Sequence, residues 1–108
     1  MISKETIQAM ADFIVAKFDP ERIVLFGSYA AGTATEDSDV DLLVEMKEDP
    51  RQGRPGNPIH RALVKTFHVP SDIFIRTSDK VTKFKDDRYS IVHEALTSGK
   101  VLYQRRGN

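Results

Sequence analysis

The sequence predicts an α/β (α+β) fold, a small mixed β-sheet with helices packed on one face. Three observations predict it. Apolar residues at helical spacing open the chain, short runs rich in β-branched residues follow, and segments with helical patterning separate the later runs. The element order is α-β-(short α)-β-α-β-α-β. The first two runs are joined by too little chain for a crossover helix, so they are expected to be antiparallel neighbours.

Ile7, Met10, Ala11, Ile14, Val15 and Phe18 fall on one helical face, which predicts a helix over about 3–18. Ser3 suits its N-cap, Glu5 suits its positive end, and Pro20 stops it. Arg22-Ile23-Val24-Leu25-Phe26 reads as a buried strand halted by Gly27. Ser28 to Gly32 reads as a short helical turn. Asp39 to Met46 is a second strand after a polar connection. Residues 47–58 hold three of the five prolines and two of the six glycines, which predicts a mobile loop. Ile59 to Phe67 is a short helix, and Ser71 to Thr77 a third strand after Pro70. Ser78 suits the cap of a helix beginning at Asp79. A further helix is expected near 86–98, with Gly99 at its C-terminal cap. Val101-Leu102-Tyr103 is a last strand. The expected domain is 1–104, with 105–108 a frayed tail.

The 108 residues fit one domain. Sixteen Lys and Arg balance sixteen Asp and Glu, so the chain is neutral overall. Neutrality argues against direct nucleic-acid binding, which rests on uncompensated cations. The absence of cysteine excludes a disulfide framework, a thiolate zinc site and a cysteine nucleophile. No apolar run approaches a signal-peptide core or a membrane span, so no membrane partner and a cytoplasmic location are expected.

The sharpest chemical feature is Gly27-Ser28 followed by Asp39-Val40-Asp41. Strand side chains alternate, so Asp39 and Asp41 share one face while Val40, Leu42 and Val44 point into the core. Adjacent carboxylates repel unless a cation lies between them. A hard divalent ion accepts one or two carboxylates and completes its shell with water and phosphate oxygens. Mg²⁺ fits that donor set, and Mn²⁺ fits as well. Gly27-Ser28 follows a strand and opens a helical turn whose N–H groups attract anions. Gly27 lets a phosphate approach the backbone, and the Ser28 hydroxyl can donate to it. Asp72 begins the third strand. If that strand lies beside Asp39-Val40-Asp41, three carboxylates converge, enough for two metal ions.

The spacing Gly27-Ser28, ten residues from Tyr29 to Ser38, then Asp39-Val40-Asp41 resembles the GSx(10)DxD signature of the polymerase-β-like nucleotidyltransferase superfamily. GSYAAG and SDVDLLVE are similar to its small stand-alone members, the minimal nucleotidyltransferase (MNT) domains, and the likeness extends to RYSIVHEALTSGKVLY. The resemblance implies a palm-like nucleotidyltransferase fold. It implies that Asp39, Asp41 and Asp72 are catalytic and ligate metal, and that Gly27 and Ser28 hold the triphosphate of ATP. It also implies a partner, a HEPN-type toxin whose tyrosine receives AMP, with this chain acting as antitoxin. Such domains often carry arginine where Tyr29 or Ala31 stands here, and a lost guanidinium removes a bidentate phosphate contact.

Two other functions fit the same residues: a binder that blocks its partner by contact, and transfer to a small acceptor such as an aminoglycoside. Glu36, Asp37 and Glu45 read as surface charges, although Glu45 shares the face of Asp39 and Asp41. His60, His68 and His93 have no mutual spacing that suggests a metal site. Arg51, Arg54, Arg61 and Lys65 read as solvated charges, and Tyr103, Arg105 and Arg106 as part of the chain end.

Overall fold

The structure is a computed structural model that describes residues 1–106. Helix α1 runs Lys4–Phe18, with the Ser3 side chain accepting the Thr6 N–H as its N-cap and Asp19 left-handed at its C-cap. Strand β1 (Arg22–Phe26) leads through the turn α2 (Ser28–Ala31) to β2 (Val40–Met46). Helix α3 (Pro58–Phe67) then crosses to β3 (Ser71–Thr77). Helices α4 (Ser78–Phe84) and α5 (Ile91–Ser98) precede β4 (Lys100–Gln104).

The four strands form one mixed sheet in the order β3-β2-β1-β4. β1 pairs antiparallel with both β2 and β4, while β2 and β3 run parallel. The hairpin expected from the short β1–β2 connection is therefore present, and α3 supplies the longer crossover that a parallel pair requires.

Helices cover both faces of the sheet, not the single face that the sequence predicts. On one face α1 and α3 pack Ile7, Met10, Ala11, Ile14, Ile59 and Leu63 against Ile23, Leu25, Leu42, Val44 and Ile75. On the other face Val81 of α4, with Val92 and Ala95 of α5, covers Val24, Phe26 and Leu43. The physical signal lies in the strands themselves. Ile23-Val24-Leu25-Phe26 and Ile73-Phe74-Ile75 are unbroken apolar runs, and a strand without polar alternation is buried on both sides.

Smaller differences have local causes. The last helix begins at Ile91, with the Ser90 side chain accepting the His93 N–H at its N-cap, and residues 86–90 form turns before it. Thr77, not Ser78, holds the N-cap position of α4. Asn57 caps α3 by accepting the His60 N–H at 3.0 Å and fixes it to the sheet by donating to the Ile73 carbonyl at 2.8 Å. The 47–57 connection carries a turn of its own, in which Asp49 accepts the Arg51 N–H at 2.9 Å and pairs with its guanidinium at 2.8 Å.

Glu45 is not a surface charge. It is 9% exposed and pairs with Arg22 at 2.8 Å, its cross-strand neighbour in β1. Arg105 is anchored: its N–H donates to the Glu21 carbonyl at 2.8 Å, and its guanidinium pairs with Asp19 and Glu21. Tyr103 lies within β4 and packs against the larger core cluster. Gly107 and Asn108, assigned by the sequence to the same tail, lie outside the described residues.

Candidate active site

The start of β2 is fixed on two sides. Ahead of it, a turn closes through Thr35 N–H to Ser38 Oγ at 2.8 Å and Ser38 N–H to the Thr35 carbonyl at 3.1 Å. Beside it, the Val40 N–H donates to the Pro70 carbonyl at 3.0 Å, which aligns the starts of β2 and β3. In the resulting register Asp41 stands opposite Asp72 on one side and Phe26 on the other. Cross-strand partners point to the same face, so the Asp41 and Asp72 side chains lie together. Asp39 is exposed immediately before the strand.

The Asp41 carboxyl is pushed up to about 6, first by burial and then by Asp72, with Asp39 and Glu94 adding repulsion. A neighbouring cation would push it the other way. Among the described residues no ion pair engages Asp39, Asp41 or Asp72. Glu94, on the first turn of α5, is an acidic neighbour that sequence spacing did not reveal. Only its place on a helix covering this face brings it near.

Gly27 has a second reason to lack a side chain. Its φ is +73°, and a Cβ there would stand 2.2 Å from the Asp41 Oδ2 atom. The glycine thus admits the Asp41 carboxylate directly against the turn that follows β1. Within that turn Ala30 and Ala31 donate to the Gly27 carbonyl at 3.2 and 3.0 Å, so the earlier N–H groups, at Ser28 and Tyr29, precede the helical ladder. Ser28 is half-buried beside them. The Tyr29 hydroxyl accepts the Ile2 N–H at 3.1 Å, which ties the turn to the chain's first residues.

The donor set suits a hard divalent cation. It consists of carboxylate oxygens whose mutual repulsion is unrelieved, next to a backbone turn that a Cβ would obstruct. Asp41 and Asp72 are the contacting pair. Among the described residues no three His, Cys, Asp or Glu side chains already stand in a metal-holding group, and Asp39 adds its repulsion to Asp41 from just before the strand. The histidines lie elsewhere. His60 and His68 belong to α3 and its C-cap, and His93 bonds the Lys85 carbonyl through Nδ1 at 2.8 Å.

The chain is thus an α/β domain whose four-stranded mixed sheet carries Gly-Ser at one strand end and paired aspartates on the next two strands. Residues 7–101 match the nucleotidyltransferase domain family, and the chain belongs to it. A Methanocaldococcus jannaschii protein named "Putative protein adenylyltransferase MJ1305" is 51% identical over 88 residues, covering 77% of this chain and 58% of that protein. "Protein adenylyltransferase MntA" of Thermococcus cleftensis is 53% identical over 34 residues, covering 32% of this chain and 34% of that protein. The matched stretches thus span between about a third and 58% of these relatives. A crystal structure of a toxin-antitoxin with AMP-PNP matches with a TM-score of 0.61 at 20% identity, covering 92% of this chain and 74% of that one. At that identity the likeness is one of fold. Among the described residues no helix is long and apolar enough to cross a membrane.

Proposed function

We propose that this chain is a protein adenylyltransferase that moves AMP from ATP to a hydroxyl of a partner toxin and so acts as its antitoxin. The finer reading is a tyrosine of a HEPN-type partner. One observation carries the chemistry: Asp41 and Asp72 face each other across β2 and β3, and burial together with like charge raises Asp41 to about 6. The names of the similar archaeal proteins support the choice of a protein acceptor.

In this reading Asp39, Asp41 and Asp72 hold the divalent ion, Mg²⁺ by ligand hardness. Bound there, such ions stabilise charge on the triphosphate and lower the barrier to deprotonating the acceptor hydroxyl. The Gly27-Ser28 turn receives phosphate oxygens through its backbone N–H groups and the Ser28 hydroxyl. The acceptor oxygen bonds to the α-phosphorus, the bond from that phosphorus to the β-bridging oxygen breaks, and pyrophosphate departs. The hydroxyl proton passes to solvent.

The test uses labelled ATP, Mg²⁺ and the product of the neighbouring gene, followed by intact mass of that product. The reading requires addition of one or more AMP units, lost in Asp39→Asn and in Asp41→Asn. A contact-only binder is the second reading. Ala31 favours it, since no guanidinium stands in that place, and so does Tyr29, whose hydroxyl is engaged by Ile2. Partner inhibition that survives both substitutions would establish the binder instead.

A further inference from the structure

The chain is neutral overall, yet one groove gathers three cations and two histidines around apolar surface, with no acidic residue in its lining. A shallow groove of about 680 Å³ runs along α3 and reaches the C-terminal end of α1. Lys17, His60, Arg61, Lys65 and His68 line it, and no acidic residue does. Among the described residues none of these five takes part in an ion pair. Between the cations the groove exposes apolar surface: Ala62 lines it, and Val64 is 40% exposed.

The arrangement follows from the helix period. Ile59 and Leu63 face the core, so Arg61, Val64, Lys65 and His68 fall on the outer stripe. Two of the cations are held in place. Lys17 sits over the Phe13 ring at 5.6 Å. The Arg61 guanidinium lies against Gly56, where a Cβ would come within 2.7 Å of Nη1.

We propose that this groove docks an acidic amphipathic helix of the acceptor protein. Lys17, Arg61 and Lys65 call for carboxylates, and the apolar strip at Ala62 and Val64 calls for leucine-like side chains on the same occupant. A nucleic acid fits less well, because no aromatic side chain lines the groove to stack a base. The groove lies on the side of the sheet that α1 and α3 cover, opposite the face that carries Asp41 and Asp72, so a helix held there leaves the site open to the acceptor hydroxyl. The inference rests on the acceptor being a protein and adds how that protein is gripped.

The probe is a fluorescein-labelled peptide of about four helical turns, with leucines along one stripe and glutamates elsewhere. Binding is read by anisotropy and by amide chemical shifts, without nucleotide or divalent ion, so failure of AMP transfer leaves this result untouched. Binding with shifts confined to α3 and the end of α1 is expected. It should weaken with added salt, and about tenfold or more in Arg61→Glu/Lys65→Glu. The neutral pair Arg61→Gln/Lys65→Gln should weaken it less, and serves if the reversed pair does not fold. Lys85→Glu/Arg88→Glu, reversing exposed cations of the α4–α5 connection, should leave it unchanged. No binding to the unaltered protein, equal weakening by the Lys85/Arg88 pair, or preference for a short oligouridylate would each overturn the proposal.

Discussion

Asp41 and Glu45 occupy one face of the same strand, yet their surroundings are opposite. Glu45 is the more buried, and Arg22 answers it directly across the hairpin at 2.8 Å. Asp41 lies between Phe26 and another carboxylate, Asp72, and its affinity for a proton rises. The contrast separates a carboxylate whose charge is balanced within the fold from one left for an incoming cation. One end of β2 holds the sheet together, and the other end holds charge in an unfavourable state.

The largest expected effect lies at the unpaired end. Asp41→Asn should lower AMP transfer by more than about 100-fold, the scale of losing a key electrostatic group in an active site. Thermal unfolding of the metal-free protein should show no loss of stability. At the paired end the result should invert. Glu45→Gln leaves Arg22 poorly matched in a largely buried place, a cost of about 2 kcal/mol given some solvent access. Urea unfolding measures that cost, and transfer per folded molecule should stay near the unaltered value.

Gly27→Ala joins the two measurements. The added Cβ collides with Asp41 Oδ2 and sits at φ +73°, so stability should fall by about 1–2 kcal/mol. Transfer should fall as well, because Asp41 must move. Urea unfolding and the intact-mass assay check the two parts.

The smallest effect is a pH dependence. The folded-state value of Asp41 is raised from 3.8 to about 6, so between those values the folded protein binds more protons than the unfolded chain. Stability of the metal-free protein should therefore rise as pH falls from 7 toward 4. For a fully buried group the shift would correspond to about 3 kcal/mol, and the half-open site reduces this to about 1 kcal/mol. Asp41→Asn should remove that rise, as followed by urea midpoints across the range.

The sequence revealed what local pattern controls. The α1 stripe, the strand Arg22–Phe26 and the hairpin follow from periodicity and connection length, and all are present. The meeting of Asp41 with Asp72 was legible only as a condition, because the adjacency of β2 and β3 depends on where α3 returns the chain. The two-sided covering of the sheet was legible in its unbroken apolar runs but was masked by the polar Asp39 and Asp41. Those aspartates made the β2 face look solvated, although Leu43 on that face is buried under α4 and α5. The Arg22–Glu45 pair needed the hairpin register: counting back from Phe26 opposite Asp41 brings Arg22 opposite Glu45. Glu94 had no local signal at all, since its place depends on the packing of α5.

The central claim is that the Asp41–Asp72 pair carries unrelieved like charge that a divalent ion relieves. Carboxyl-carbon NMR titration of the aspartates, with and without Mg²⁺, tests it most directly. The account predicts an apparent value of about 6 for the Asp41-centred titration in the metal-free protein, falling when Mg²⁺ is added. A carboxyl that titrates near 3.8 and ignores Mg²⁺ would contradict it.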